Sequence, residues 1–130
     1  MGTNYYLHRD VCESCGRPKS DPLHIGKSSA GWTFGLHVVP DDGISSLGDW
    51  LRVFLEARTL IRDEYGKTIA PVEMLEIILC RWRDKPLTDF DWESNYAVPG
   101  PNNLIRHKLD DRYCSGHGDG PYDLILGEFC

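Results

Sequence analysis

The sequence predicts a single small α+β domain with short antiparallel β-hairpins, two amphipathic helices and a zinc knuckle. Its 130 residues are the length of one domain. Two segments repeat their apolar residues with the period of a helix, and short alternating segments have the pattern of strands. A Cys-x-x-Cys-Gly motif lies between the first two strand candidates. Together these observations predict one domain over residues 1–130, with a metal site near its beginning.

The strand candidates are short and are bounded by glycine, proline and polar residues. In chain order they are residues 4–7, a hairpin of 23–27 and 31–38 that turns through 28–30, a hairpin over 59–69 that turns near 65–66, 104–108 and 122–129.

Two amphipathic helices account for most of the remaining apolar residues. Ser45 or Ser46 can cap the first helix, which we expect to run to about residue 58. The second begins at Pro71, where a missing N–H costs nothing. Cys80 falls in this second helix, and we expect it to be a small buried thiol. The apolar stripes are Leu47, Trp50, Leu51, Phe54 and Leu55 in the first helix, and Met74, Leu75, Ile78, Leu79 and Trp82 in the second.

A tetrahedral Zn²⁺ site is predicted between residues 12 and 37. Cys12 and Cys15 are separated by two residues, so a tight turn can bring both thiolates to one ion. Gly16 follows in the place where such a turn often needs a positive φ. His24 and His37 complete a set of four ligands. The alternatives are a redox role for the cysteines, which lacks the usual βαβ context, and histidines that are simply strand residues.

The register of the first hairpin decides whether the two histidines can meet. With the turn centred between Ser29 and Ala30, His24 lies opposite Gly35, and His37 is diagonal to it. Side chains alternate between faces along a strand, so both histidines then share one face, beside a glycine that leaves room for an ion. A slip of one residue would send His37 to the other face.

Two later segments leave their roles open. Cys114 and His117 form a Cys-x-x-His motif, which could complete the first zinc site together with Cys12 and Cys15, could form a separate polar site, or could be a glycine-rich turn. The connection over residues 84–103 is long and contains several proline residues, and such segments are often functional or mobile.

Composition argues against several classes of protein. The formal net charge is −6, which disfavours a broad nucleic-acid or anionic-membrane surface. No apolar run approaches the roughly 18 residues that a membrane helix needs, and the first residues lack the apolar core of a signal peptide. Five cysteines without an export signal indicate a reducing compartment. We therefore expect a cytoplasmic protein.

Several segments resemble those of small bacteriophage and prophage proteins with an N-terminal zinc knuckle. They are MGTNYYL, CESCGR, LHIGKSSAGW, VPGPNNLIRH, CSGHGDG and GEF, and they span both ends of the chain. The resemblance implies a phage origin and action in the cytoplasm of a bacterial host, and it implies no particular activity.

A second resemblance is to HNH endonucleases, in which a strand histidine activates water beside a metal ion. These enzymes join a Cys-x-x-Cys-Gly knuckle, a strand histidine, an Asn-Leu step and a final Cys-x-x-Cys/His. This chain departs from the pattern, because His24 lacks an adjacent His or Asp and the Asn-Leu step lies far downstream. The matching residues are Cys12, Cys15, His24, Asn103, Leu104, Cys114 and His117.

Two function hypotheses follow. The first is a non-enzymatic, zinc-stabilised module that binds a host or phage macromolecule, and above all a protein. The second is a metal-dependent hydrolase or HNH-like endonuclease that uses His24, His107, His117 or Asp119. The acidic charge and the lack of an assembled acid–base set favour the first.

Overall fold

The fold is the α+β domain that the sequence predicts. The computed structural model describes residues 2–9, 12, 14–15, 21–93, 97–109 and 114–126, without the side chains of 91 and 92. None of the helices in these ranges is long and apolar enough to cross a membrane. The strands are β1 (Gly2–His8), β2 (Leu23–Ser29), β3 (Phe34–Val38), β4 (Leu60–Asp63), β5 (Thr68–Ile69), β6 (Val98–Pro99), β7 (Ile105–Arg106), β8 (Cys114–His117) and β9 (Tyr122–Leu126). The α-helices are α1 (Leu47–Phe54), α2 (Pro71–Leu79) and α3 (Asp89–Glu93).

Seven of these strands form one sheet in the order β5-β4-β1-β2-β3-β9-β8. Its neighbours pair antiparallel except β3 and β9, which are parallel. The strands β6 and β7 form a separate two-stranded sheet. The backbone of Ile105 joins this small sheet to the start of β3, because Ile105 N–H donates to Gly31 O and Thr33 N–H donates to Ile105 O, both at 2.8 Å.

The turn between β2 and β3 lies later than predicted. Trp32 N–H donates to Ser29 O at 3.1 Å, and Gly31 adopts a φ of 81°. Glycine adopts this left-handed conformation without a steric penalty, which centres the turn on Gly31. The predicted register is therefore wrong by three residues, since Gly26 and not Leu23 lies opposite Leu36.

A register shift of three residues would by itself place His24 and His37 on opposite faces of the sheet. A β-bulge in β2 returns His24 to the face that carries His37. Tyr5 pairs with Gly26, whereas the next residue of β1, Tyr6, pairs with His24, so Ile25 is an extra residue in β2. A bulge of this kind changes which face the following residues occupy. The side chain of Ile25 is fully buried in the core, while His24 faces the other way with Tyr6.

One face of the large sheet carries the main hydrophobic core. Side chains of α1 and α2 form a single cluster with the inward-facing residues of six strands, and this burial of apolar area is the main stabilising contribution. The buried members of the cluster are Tyr5, Leu7, Ile25, Phe34, Leu36, Ile44, Trp50, Phe54, Ile61, Ile69, Met74, Ile78 and Tyr122.

The first helix begins as predicted but ends early. The Ser46 hydroxyl accepts a hydrogen bond from Asp49 N–H at 3.2 Å and caps its N-terminus. The helix stops at Phe54, because Leu55 closes it with a bond to Arg52 O and the chain then turns through Arg58, whose φ is 62°. The prediction that Leu55 belongs to the buried stripe is therefore wrong, since its side chain is 80% exposed.

The second helix begins at Pro71 as predicted and ends at Leu79. Cys80 N–H makes the last helical bond, to Glu76 O. Because the helix ends there, Cys80 is exposed rather than buried, and Trp82 lies beyond the helix with 69% of its surface exposed. The predictions that Cys80 is a buried thiol and that Trp82 belongs to the apolar stripe both assume that the helix continues, and both are wrong.

Gly26 offers a test of the sheet geometry. A methyl group at this position would overlap the carbonyl oxygen of Gly35 and lie 2.5 Å from the ring of Phe34. We expect Gly26→Ala to lower the free energy of unfolding by about 1–3 kcal/mol, as overpacking of a core does. Gly116→Ala is the matched control, because its methyl group would meet only the Leu124 side chain, at 3.8 Å. Equal urea denaturation midpoints for the two variants would contradict this packing.

Candidate functional site

The face of the sheet opposite the helices carries His8, His24 and His37, and we call it the histidine face. His24 lies opposite Tyr6, and His37 alternates with the inward-facing Leu36. The ring centroids of His24 and His37 are 5.5 Å apart. The two histidines thus share a face as the sequence predicts, although the bulge rather than the predicted register brings them together.

In His24 and in His37, one ring nitrogen forms a hydrogen bond with an oxygen acceptor. His37 Nδ1 lies 3.0 Å from the His24 carbonyl oxygen. A carbonyl only accepts, so Nδ1 carries the proton and the lone pair is on Nε2. His24 Nε2 lies 2.9 Å from Asn4 Oδ1, which places the lone pair of His24 on Nδ1. Metal-binding histidines usually donate their other N–H in this way.

The cysteine pair lies on the connection between β1 and β2. This connection starts after His8 and returns at Leu23, next to His24, so it leaves and re-enters the sheet at the end that carries the histidines. Hydrogen bonds from Ser14, and then from Cys15, lower the pKa of Cys12 to about 6. Cys12 is therefore largely a thiolate at neutral pH, the form that binds metal. Gly16 lies outside the described residues.

His8 is a residue of this face that the sequence analysis missed. Its Nδ1 is buried and has no hydrogen-bond partner in the described part of the chain. Burial, and secondarily the charge of Arg62, lowers the pKa of His8. The imidazole is therefore neutral at pH 7 and carries a lone pair. Its period-two spacing from Tyr6 was the signal that places it on the same face.

The described residues do not bring all the predicted ligands together. Across residues 2–9, 12, 14–15, 21–93, 97–109 and 114–126, no group of three or more His, Cys, Asp or Glu is arranged to hold a metal ion. Cys114 and His117 form the edge strand β8, not a turn, and lie three strands from β2. At about 4.8 Å per strand this is a separation of about 14 Å from His24. The HNH-like set of His24 with Cys114 and His117 is therefore not assembled.

A second polar centre is built around Asp123 of β9, whose side chain is fully buried. It lies in register with Gly35 and therefore on the histidine face. Its carboxylate accepts hydrogen bonds from Thr33 Oγ1 at 2.7 Å, Arg106 Nε at 2.7 Å and His107 N–H at 2.9 Å. The sequence predicts Asp123 only as one residue of the strand candidate 122–129, although an acidic residue in the apolar run YDLIL is a signal of a paired buried charge.

His107 extends from this carboxylate toward solvent. Its Nδ1 lies 3.1 Å from Asp123 Oδ2, and its side chain is 35% exposed. Its ring packs against Trp32 with centroids 5.0 Å apart. In the described part of the chain Nε2 makes no hydrogen bond. His117 Nε2 lies 2.7 Å from the His107 carbonyl oxygen, which ties β8 to the same centre.

The ionisation of Asp123 follows from these contacts. Burial alone would raise its pKa, but the hydrogen bonds from His107 and Thr33, together with the charge of Arg106, lower it below the ordinary value. The carboxylate is therefore ionised at neutral pH and paired with a guanidinium that is itself only 13% exposed.

Comparison of the chain with protein-family models, with curated proteins and with solved structures found no match in any of the three.

We expect Asp123→Asn to destabilise the protein by about 3–5 kcal/mol at pH 7, because it leaves Arg106 buried without a counter-charge. The pKa of Asp123 is lower in the folded protein than its unfolded value of about 3.9. The ionised carboxylate therefore stabilises the fold fully above the unfolded pKa, and this stabilisation is lost as the pH falls through the folded pKa. Urea denaturation should show that the difference in free energy of unfolding between wild type and variant is constant from pH 7 to 5 and becomes smaller below pH 4.

Asp119→Asn is the control for that series, because Asp119 is exposed and its replacement should change stability by less than about 0.5 kcal/mol. If the difference in free energy of unfolding between wild type and Asp123→Asn stays the same down to pH 2, the result would contradict the ionised state of the buried carboxylate.

Proposed function

We propose that this protein is a zinc-stabilised, non-enzymatic module that binds a host or phage protein, with Cys12, Cys15, His24 and His37 as the zinc ligands. The pairing of the two imidazoles supports this most directly. Their rings are 5.5 Å apart on one face, and each has one nitrogen bonded to an oxygen acceptor. This arrangement is typical of histidines that bind zinc through the other nitrogen.

The ligand set favours a structural metal. Two thiolates and two imidazoles fill the tetrahedral coordination of zinc, so no position remains for a reacting water. The ion would join the connection between β1 and β2 to the ends of β2 and β3. Its binding free energy would then contribute to folding, as it does in other small zinc domains.

A protein partner agrees with the charge and with the surface. The net charge of −6 disfavours binding to phosphate backbones. Large aromatic side chains lie exposed, including Tyr65 at 77%, Trp82 at 69% and Phe90 at 76%. Protein interfaces are enriched in such residues. The resemblance to phage proteins supports a partner from the host or the phage itself.

We expect the purified protein to carry about one zinc ion per chain. His24→Ala and His37→Ala should each lower zinc affinity by more than about a hundredfold, and Asn4→Ala should lower it by about 10–100-fold, because Asn4 orients His24. A competition titration with a zinc-binding dye measures all three.

Cys114→Ala and His117→Ala are the controls for this titration and should keep wild-type affinity. If these two variants lose zinc while His24→Ala and His37→Ala retain it, the site is made of two knuckles and the proposed ligands are wrong.

A second candidate, a metal-dependent hydrolase or nuclease, is favoured by the contact between Asp123 and His107. A buried carboxylate on Nδ1 orients the imidazole and makes Nε2 the base, which is the usual arrangement of a general base. The exposed side of His107 could reach a substrate, and Trp32 packs beside it.

Plasmid DNA incubated with the protein and Mg²⁺ or Mn²⁺ separates the two candidates. We expect no cleavage, because no third His, Cys, Asp or Glu in the described part of the chain joins His107 and Asp123 in a group that could hold a metal ion. Cleavage by wild type that is lost in His107→Ala and kept in the exposed-residue control Asp41→Asn would favour the nuclease instead.

A further inference from the structure

Arg81 is a partly buried cation without a carboxylate partner. Its Nε donates to Trp32 O at 2.9 Å, and its Nη2 donates to Ser29 O at 2.6 Å, so the guanidinium is fixed across the turn between β2 and β3. No acidic side chain in the described part of the chain forms an ion pair with it. Burial lowers the pKa of Arg81, which shows that the charge is partly desolvated.

The third nitrogen of this guanidinium remains available. Nη1 makes no hydrogen bond within the described residues. Arg81 lines a groove of about 330 Å³ between the end of α2 and the β1–β2 pair. That volume is at the lower end of the range for small-molecule sites.

The groove is lined by two residues of opposite charge, by two residues that carry hydroxyl groups and by an aromatic residue. The charged residues are Arg81 and Glu76, and Tyr5 and Ser28 line the groove beside them. Trp82, at 69% exposure, forms one side. Glu76 is exposed, so its carboxylate is available to a ligand as well as to water.

Asn102 and Asn103 hold this segment in place. Their φ values are 58° and 62°, positive values that asparagine adopts more readily than other residues apart from glycine. Their side-chain amides donate to the backbone carbonyls on either side of Trp82, Asn102 Nδ2 to Arg81 O at 2.9 Å and Asn103 Nδ2 to Arg83 O at 3.0 Å. Fixing an exposed tryptophan and its neighbours lowers the entropic cost of binding a ligand there.

From this geometry we propose that the groove binds a small zwitterion, an α-amino acid with an apolar side chain. The carboxylate of the ligand accepts hydrogen bonds from Arg81 Nη1, and its ammonium group donates to Glu76. Its side chain packs on Trp82. A phosphate dianion fits less well, because one cation faces it and a carboxylate shares the groove.

The groove is independent of the proposed metal site. Tyr5 and Ser28 point to the helix-covered face of the sheet, whereas His24 and His37 lie on the histidine face. Loss of ligand binding and loss of zinc can therefore be separated by variants on opposite faces.

Calorimetric titration of the full chain with four probes tests this proposal. The probes are L-phenylalanine, N-acetyl-L-phenylalanine, L-phenylalanine amide and phenyl phosphate. We expect L-phenylalanine to bind at least roughly tenfold more tightly than each of the others, because only it offers both charges. Trp82→Ala should weaken its binding by a similar factor.

Glu76→Gln gives the sharpest comparison, since Glu76 is exposed and its replacement leaves the fold intact. It should weaken L-phenylalanine binding roughly tenfold and leave N-acetyl-L-phenylalanine unchanged. Glu73→Gln, an exposed position on the same helix, should change neither. The proposal is overturned if no probe binds at concentrations up to about 10 mM. It is also overturned if phenyl phosphate or the N-acetyl derivative binds as tightly as L-phenylalanine, or if Glu76→Gln and Glu73→Gln behave alike.

Discussion

The single extra residue in β2 determines what each face of the sheet carries. Without the bulge at Ile25, the pairing that sets Gly26 opposite Leu36 would place His24 on the core side, away from His37. With the bulge, Ile25 enters the core and His24 turns to the opposite face. Hydrophobic burial of one isoleucine is worth about 1.5–3 kcal/mol, so the core itself stabilises the arrangement that pairs the histidines.

The buried carboxylate of Asp123 holds neighbouring segments together at the other end of the histidine face. It fixes β7 to β9 through Arg106 and His107, and it bonds the start of β3 through Thr33. A buried charge is tolerated only when its hydrogen bonds are satisfied, so these contacts must form together. The small sheet, whose two strands are connected through Asn102 and Asn103, is thereby held against the large one, and with it the exposed segment that contains Trp82.

Local patterns in the sequence predicted the elements well and their ends poorly. The α+β class, the first hairpin and the starts of both main helices follow from periodicity and capping residues, as Ser46 and Pro71 illustrate. The helix ends and the exposure of Leu55 and Cys80 depend on tertiary contacts, and the face of His24 depends on one bulge, which no local pattern predicts. The predicted register of β2 with β3 is wrong because the turn is centred on Gly31 and not between Ser29 and Ala30. The pair of Asp123 and His107 is not predicted, because the two residues lie 16 positions apart in the sequence and meet only in the folded chain.

The zinc-ligand set is the central claim, and X-ray absorption at the zinc edge of the purified protein tests it most directly. The account predicts two sulfur atoms at about 2.3 Å and two imidazole nitrogens at about 2.0–2.1 Å, with no oxygen ligand. A shell of three sulfurs would mean that another cysteine, such as Cys114, joins Cys12 and Cys15. That result, a zinc-bound water, or protein purified without chelator that holds no zinc would contradict the account.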